Sequence, residues 1–383
     1  MKSLRVGFMP LIDAAVPIAA VECGFAAQEG LDIALIRETS WANIRDKLVH
    51  DMFDASHMLA PLAVATSLGI RNAKVPLAVP FALNANGNCI TLGLSLYQAL
   101  EGVLGRAPAD ARESAKALKV VLDRRARAGK GLITFGVVFP FSVHAIMVRH
   151  WLRLGGIDPS SEVQFQVVPP PFMVAGLSEG IIDGCCVGEP WNTRAVENGV
   201  GAIVAFGSEI ARGAPDKVLA LRETMVTQDR GAVEALLRAY QKAALWCGDP
   251  QNHRNLAQIM AQPEYLGVSP KTVLNALTGA LQVSRTEART VKDFLIFTGD
   301  DINRPDPRKA RWLYAETMFA LRHSLREDEA AAAAAVYRPD IFDAATGRNW
   351  ISEPDDPIGL RYGPAFDSND LEGYVAALRQ SSG

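Results

Sequence analysis

The sequence predicts an α/β protein of two lobes with a helical C-terminal part, and three observations carry that prediction. Strand-like and helix-like segments alternate over the first ninety residues and again from about 130 to 206, the pattern of parallel sheets covered by helices. After about Gln228 the periodicity is almost wholly helical. At 383 residues the chain also exceeds the ~250–300 at which single cores stop growing, so two bodies are expected.

The first strand is expected over Leu4–Pro10, followed by a helix of small residues from Asp13 to Gln28 that Gly30 ends. Leu31–Arg37 reads as the second strand. Ser40 then caps a helix on which Trp41, Ile44 and Leu48 share a face. Ala55–Met58 is a short strand, Pro61–Leu68 a helix and Val75–Leu83 a strand, before a turn over Asn84–Asn88. Cys89–Leu92 and helical residues to about Ala128 follow. Val163–Val168, Ile181–Val187 and Ala202–Phe206 are further strands, with helices from about Met173 and at Glu189-Pro190-Trp191, Pro suiting a first helical position. Val218–Val226 is a return strand, entered through a loop that holds Lys217. Beyond it, Ala232–Trp246, Arg254–Met260, Pro270–Ala280, Val291–Phe297, Arg308–His323 and Ala330–Ala335 are expected as helices, and the last thirty or so residues as a wrapping tail. One lobe is assigned 1–88 and 220–383, the other 89–219, with a ligand cleft between them.

Composition excludes several classes. The chain is 49% hydrophobic and 21% charged, with a net charge of −3 and a pI near 6.1, so charge gives no reason to expect nucleic-acid or membrane-surface binding. Five cysteines without a C-x-x-C and six histidines without ligand spacing point to no metal and no cofactor. No run reaches the ~18 apolar residues of a membrane span. Lys2 and Arg5 precede apolar residues, but Asp13 interrupts the run; we therefore expect no export signal and a cytoplasmic protein. The motifs of serine hydrolases, P-loop proteins, dinucleotide binders and zinc proteases are missing, so no enzyme is expected.

The stretch that points to a ligand is Gly131–Trp151. Leu132–Val138 reads as a buried strand, Phe139-Pro140 breaks it, and Ser142 caps a helix whose face carries His144, Met147, Val148 and Trp151. His144 thus falls in the first turn after a strand, where open α/β sheets bind small anions. A histidine among apolar neighbours is more often a packing residue, so His144 alone decides nothing. Trp41, Asn88 and Lys217 also fall at strand-to-helix junctions. Each has a plain structural alternative: Trp41 as core, Asn88 as turn former, Lys217 as surface lysine. Together they are donors, which is what a planar anion of acceptors only requires, alongside few unpaired carboxylates. A protonated His144 is expected to bind such an anion best.

TSWANIRDKL (39–48), DASHMLAPL (54–62), NANGNCITL (84–92), FPFSVHAIMVRHW (139–151), VVPPPFMV (167–174) and DGCCVGEPWN (183–192) together resemble the NrtA/CmpA family of nitrate- and bicarbonate-binding proteins, in order over roughly 4–340. The resemblance implies the periplasmic-binding-protein type II fold, two lobes clamping the ligand. It also implies that Trp41, Asn88, His144 and Lys217 hold nitrate, with Pro170, Gly188 and Glu189 behind them. The nitrate binders have Gln where this chain has Asn88, a shorter arm. The bicarbonate binders carry a carboxylate where Lys217 stands and recruit a metal ion, so Lys217 implies nitrate or nitrite. Without an export signal the chain looks like a cytoplasmic sensor of the NasS type, whose partner is an RNA-binding antiterminator of the NasT type controlling nitrate assimilation genes. The alternative is the substrate-binding component of a nitrate ABC transporter.

Overall fold

A computed structural model describes residues 1–299, 302–347 and 355–380 of the chain. Thirteen strands occur among them. These are β1 Lys2–Phe8, β2 Leu31–Arg37, β3 Ala55–Leu59, β4 Leu77–Asn86, β5 Asn88–Gly93, β6 Ile133–Val137 and β7 Val163–Val167. The others are β8 Gly184–Gly188, β9 Gly201–Phe206, β10 Pro215–Arg222, β11 Ala280–Gln282, β12 Ala288–Thr290 and β13 Leu295–Ile296.

Two sheets form the framework, in the orders β13-β4-β10-β3-β1-β2 and β7-β6-β8-β5-β9. Each is parallel only in part. β1 pairs in parallel with β2 and β3, and β6 with β7 and β8. β10 and β5 run antiparallel to their neighbours. The reason lies in the crossings. β4 leaves one sheet at Asn86 and β5 enters the other at Asn88, so β5 starts at the edge where β8 ends, Asn88 facing Gly188. β10 likewise starts beside the end of β3, with Lys217 facing Leu59. The edge where the parallel strands end is therefore the edge where the crossing strands begin, and both sheets present it to one cleft.

The crossing at β4–β5 is tighter than the five-residue turn expected over Asn84–Asn88. Gly87 alone separates the strands, with φ +93° beside Asn86 at φ +63°, and a Cβ on Gly87 would stand 2.6 Å from Leu295 Cδ1; only glycine fits there. Lys217 is likewise inside β10, not in a loop before it. The helix expected from Asp13 to Gln28 is three pieces, broken at Gly24 (φ +76°). Val291–Phe297, expected helical, pairs instead through β13 with β4, tertiary pairing overriding a weak local pattern. The expected C-terminal tail contains the helix Leu371–Gln380, whose Leu371, Tyr374, Val375 and Leu378 are buried at helical spacing.

Leu4, Val6 and Phe8 of β1 face the helices Ala15–Glu22 and Arg230–Gly248. The opposite core takes in Trp41, Trp151 and Trp312. Trp151 is fully buried, edge-on to Phe135 at 5.9 Å, and its indole N–H donates to Ser114 Oγ at 3.0 Å. With Met147 and Val148 it seats the helix Val143–Leu154 on its sheet, leaving that helix's first turn toward the cleft.

Candidate functional site

Local capping places the first two site residues. Ser40 accepts the Asn43 N–H at 3.2 Å, so Trp41 opens the helix Trp41–Val49. Ser142 accepts the Ala145 N–H at 3.1 Å, which sets His144 in the first turn of Val143–Leu154. Lys217 lies near the start of β10, whose pairing with β4 shifts register on either side of it. The irregularity lets Asp216 and Lys217, neighbours that normally point apart, reach the same cluster. Asn88 begins β5.

All four expected ligand residues meet here, and each is almost wholly buried. Lys217 is the centre. Its Nζ stands 2.8 Å from Asp13 Oδ2, 2.7 Å from Asp216 Oδ2 and 5.7 Å from the centre of the Trp41 ring. Asp13 Oδ1 lies 2.9 Å from His57 Nε2, and His57 Nδ1 accepts the Met9 N–H at 3.3 Å. Nε2 therefore carries the proton and points it at Asp13. His57 packs edge-on to Trp41 at 5.5 Å. His144 Nδ1 is 3.9 Å from Asp216 Oδ1, and Asn88 acts on Asp216 in the direction that favours its ionised form.

The site holds two carboxylates, Asp13 and Asp216, each paired with the Lys217 ammonium. Asp13, His57 and Asp216 were not singled out from the sequence. Asp13 was visible as an acid at the first strand-to-helix junction, His57 as an ionisable residue inside an apolar strand and Asp216 as the neighbour of Lys217. Only the fold brings them to one point.

Burial pushes the Asp13 carboxyl up, but Lys217 and His57 outweigh it and hold it below the usual range. Burial likewise lowers Lys217, and the two aspartates more than reverse that, raising it. Asp216 is pushed up to about 6 by burial and by Asp13, against the pull of Lys217. Burial lowers His57 despite Asp13, and burial with the Lys217 charge takes His144 well below its ordinary value. His144 is thus a neutral ring, not the cation expected to bind an anion best. Desolvation and a neighbouring ammonium act in the same direction here.

Several polar atoms in the cluster have no hydrogen-bond partner: Trp41 Nε1, both ring nitrogens of His144, Asn88 Oδ1 and Asp216 Oδ1. Trp41 Nε1 and the single N–H of the neutral His144 ring are donors, and because a buried donor left unpaired costs about 1–3 kcal/mol, these two mark a place for a ligand with acceptor atoms. Glycines shape it. A Cβ on Gly188 would come to 3.2 Å from Asp13 Oδ2, and one on Gly207 to 2.3 Å from Asn88 Oδ1.

Two of the supporting residues sit differently from one another. The Glu189 side chain turns toward the helix that follows it, accepting the Thr193 N–H at 3.1 Å, and burial pushes its carboxyl up to about 7. Its carbonyl accepts the Ile12 N–H at 2.8 Å, while the Trp191 indole donates to the Pro10 carbonyl at 3.2 Å. Those two bonds join the lobes across the cleft. Pro190, expected at a first helical position, precedes the helix Trp191–Glu197 through a cis bond from Glu189. Pro170 is buried at the start of a short 3-10 turn, and its carbonyl is taken by the Met173 N–H of that turn. Among the described residues no group of three or more His, Cys, Asp or Glu is placed to hold a metal ion, and no helix is long and apolar enough to cross a membrane.

Two sheets whose ligand-facing edges share one buried polar cluster define a periplasmic-binding-protein fold. The crystal structure of the periplasmic nitrate-binding protein NrtA from Synechocystis PCC 6803 superposes with a TM-score of 0.86 over 99% of this chain and 98% of its own, at 26% identity. The alkanesulfonate-binding protein SsuA from Xanthomonas axonopodis shares the fold at a TM-score of 0.61 and 11% identity, over 87% of this chain and 98% of its own. The NMT1-like family matches residues 1–261. The nitrate/nitrite binding protein NrtA of Synechococcus elongatus is 31% identical over 99% of this chain and 86% of its own length. The chain belongs to the NMT1-like family and, within it, to the NrtA/CmpA family. It is also 31% identical, over 97% of its length, to the nitrate import ATP-binding protein NrtC of Synechocystis, of whose length it spans 54%. The chain thus spans about half of such ATP-binding relatives.

Proposed function

We propose that the chain binds nitrate or nitrite in the cleft and serves as the substrate-binding component of a nitrate import system. The observation that carries the reading is the set of unpartnered donors, Trp41 Nε1 and the His144 ring, beside the Lys217 ammonium. A planar oxyanion has acceptors for all three and a flat face for the indole. A cation at this position favours a univalent oxyanion without a metal. The relatives named for nitrate and nitrite binding support the same choice. Nothing in the cluster pairs a nucleophile with a base, so we read it as a binding site without a reaction.

Binding closes the lobes. A ligand shifts that equilibrium by its differential affinity for the closed form, and the bonds Ile12–Glu189 and Trp191–Pro10 belong to that form. Titration calorimetry with nitrate, nitrite, bicarbonate and sulfate tests the reading. We expect heat from nitrate or nitrite, and a folded sample that gives none at millimolar ligand refutes it. A cytoplasmic sensor restraining an RNA-binding antiterminator uses the same cleft and differs only in what the closed surface meets. Co-purification with an antiterminator, lost on adding nitrate, favours the sensor; association with a membrane permease favours import.

A further inference from the structure

We infer that the protein has a second ligand site, for an organic anion with a short apolar body, between the helices Val143–Leu154 and Pro307–Leu321. A cavity of about 330 Å³ lies there, lined by Phe141, Ile146, Phe165 and Leu321 and by Arg149, Arg71 and Arg322. Its volume falls at the low end of small-molecule pockets, ~300–1,000 Å³, and holds about ten water-sized groups.

Its polar groups make the case. Glu316, the carboxylate in the wall, is already engaged, with Oε1 at 2.8 Å from His150 Nε2 and accepting the Tyr374 hydroxyl at 2.5 Å. The Thr317 hydroxyl donates to the Leu313 carbonyl, and the Ser142 hydroxyl to the Phe139 carbonyl. The three arginines differ. Among the described residues, the guanidinium groups of Arg71, Arg149 and Arg322 make no hydrogen bond or ion pair. Arg149 is half-buried with its guanidinium 4.4 Å from the centre of the Phe165 ring, and burial together with Arg153 lowers its pKa to about 10. Three unpaired cations around an apolar cavity, in a chain of net charge −3, call for a carboxylate or phosphate head with an alkyl or aryl body.

The site is built across the lobes. Phe141, Arg149 and Phe165 belong to the body around β6 and β7, while the helix Pro307–Leu321 packs on Ala60–Leu68 of the other body. The helix Val143–Leu154 gives Ile146 and Arg149 to the cavity and His144 to the cleft. A ligand here therefore favours the closed form, a coupling that rests on the cleft's reading as an anion site.

The test is calorimetry with octanoate on nitrate-free protein, with octanol and inorganic sulfate as controls. We expect octanoate to bind one to one and at least tenfold tighter than either control. Arg149→Gln weakens octanoate tenfold or more and leaves octanol within twofold. Should that variant not fold, the exposed pair Arg71→Gln and Arg322→Gln gives the same loss. Octanol binding as tightly as octanoate, octanoate unaffected by these substitutions, or no octanoate heat from folded protein overturns the site. Octanoate at saturation tightens nitrate at least threefold, and nitrate tightens octanoate by the same factor. Nitrate affinity unchanged with octanoate bound overturns the bridging geometry, whereas octanoate binding without any nitrate binding overturns only the reading of the cleft.

Discussion

Asp216 makes nitrate binding depend on pH, in a direction set by the cluster itself. Its carboxyl titrates at about 6 in the ligand-free site because burial and Asp13 oppose its ionisation. An anion on Lys217 adds a second negative charge across the ammonium, roughly 5 Å from Asp216 by the length of two ion contacts. At an effective dielectric near 20 that repulsion is about 3 kcal/mol, or roughly two pH units on the carboxyl. The bound form therefore keeps its proton to about pH 8, and binding takes up a proton between those values. Affinity is flat below pH 6 and falls roughly tenfold per unit above it, by about 100-fold in all. His144 does not reverse the sign, since it is already neutral in this range. Asp216→Asn removes the repulsion and the titration together. Nitrate calorimetry between pH 5 and 9 should show the variant flat, matching the wild type in acid and about 100-fold tighter at pH 8.5. A wild-type affinity independent of pH, or a slope that survives in the variant, refutes the reasoning.

Trp41→Phe keeps a flat apolar wall but removes the indole N–H, so nitrate should weaken by about 1.5–3 kcal/mol, the worth of a hydrogen bond to a charged group, alongside a loss of stability from the smaller ring in a fully buried place. Lys217→Met abolishes nitrate binding and leaves Asp13 and Asp216 buried without their cation. Urea denaturation should show a loss of about 3–5 kcal/mol, recovered in part by adding Asp216→Asn. Gly207→Ala drives a methyl to 2.3 Å from Asn88 Oδ1, and the displaced amide should cost about 1–3 kcal/mol, read as weaker nitrate binding and a lower melting temperature. Trp151→Phe gives up the bond to Ser114 and leaves a void in a fully buried place, so it should lower stability by more than the roughly 1 kcal/mol of that bond while nitrate affinity stays within twofold, because that ring faces the core and not the cleft.

How much of this was legible in the sequence follows from what kind of signal each feature leaves. The two α/β bodies rest on hydrophobic periodicity, a local signal, and Ser40 and Ser142 cap the helices they were expected to cap. Features that depend on pairing left no such trace. β13 is two residues long and exists because β4 offers it an edge. Lys217 reads as a loop residue because nothing local says that an irregular crossing strand will bury a lysine. The site divides the same way. Trp41, Asn88, His144 and Lys217 stand at junctions, where the chain pattern points. Asp13, His57 and Asp216 set the charges of that cluster and come from three separate segments.

That division explains why the protonation of His144 was not legible in the sequence. Reasoning from a helix N-terminus and an anion weighs two opposing fields on an otherwise solvated ring. In the folded protein the ring is buried and a lysine stands close by, and both lower its pKa. The positive charge for an anion therefore rests on Lys217 alone, held in place by Asp13. Asp13 is in turn oriented by His57 and, through it, by the Met9 backbone. Such a site selects its ligand less by net charge than by geometry. With two aspartates against one lysine it has no surplus of positive charge to attract anions at large. It favours one that can take the indole and imidazole donors at the same time and stack on Trp41, which a planar oxyanion does and a tetrahedral sulfate does not.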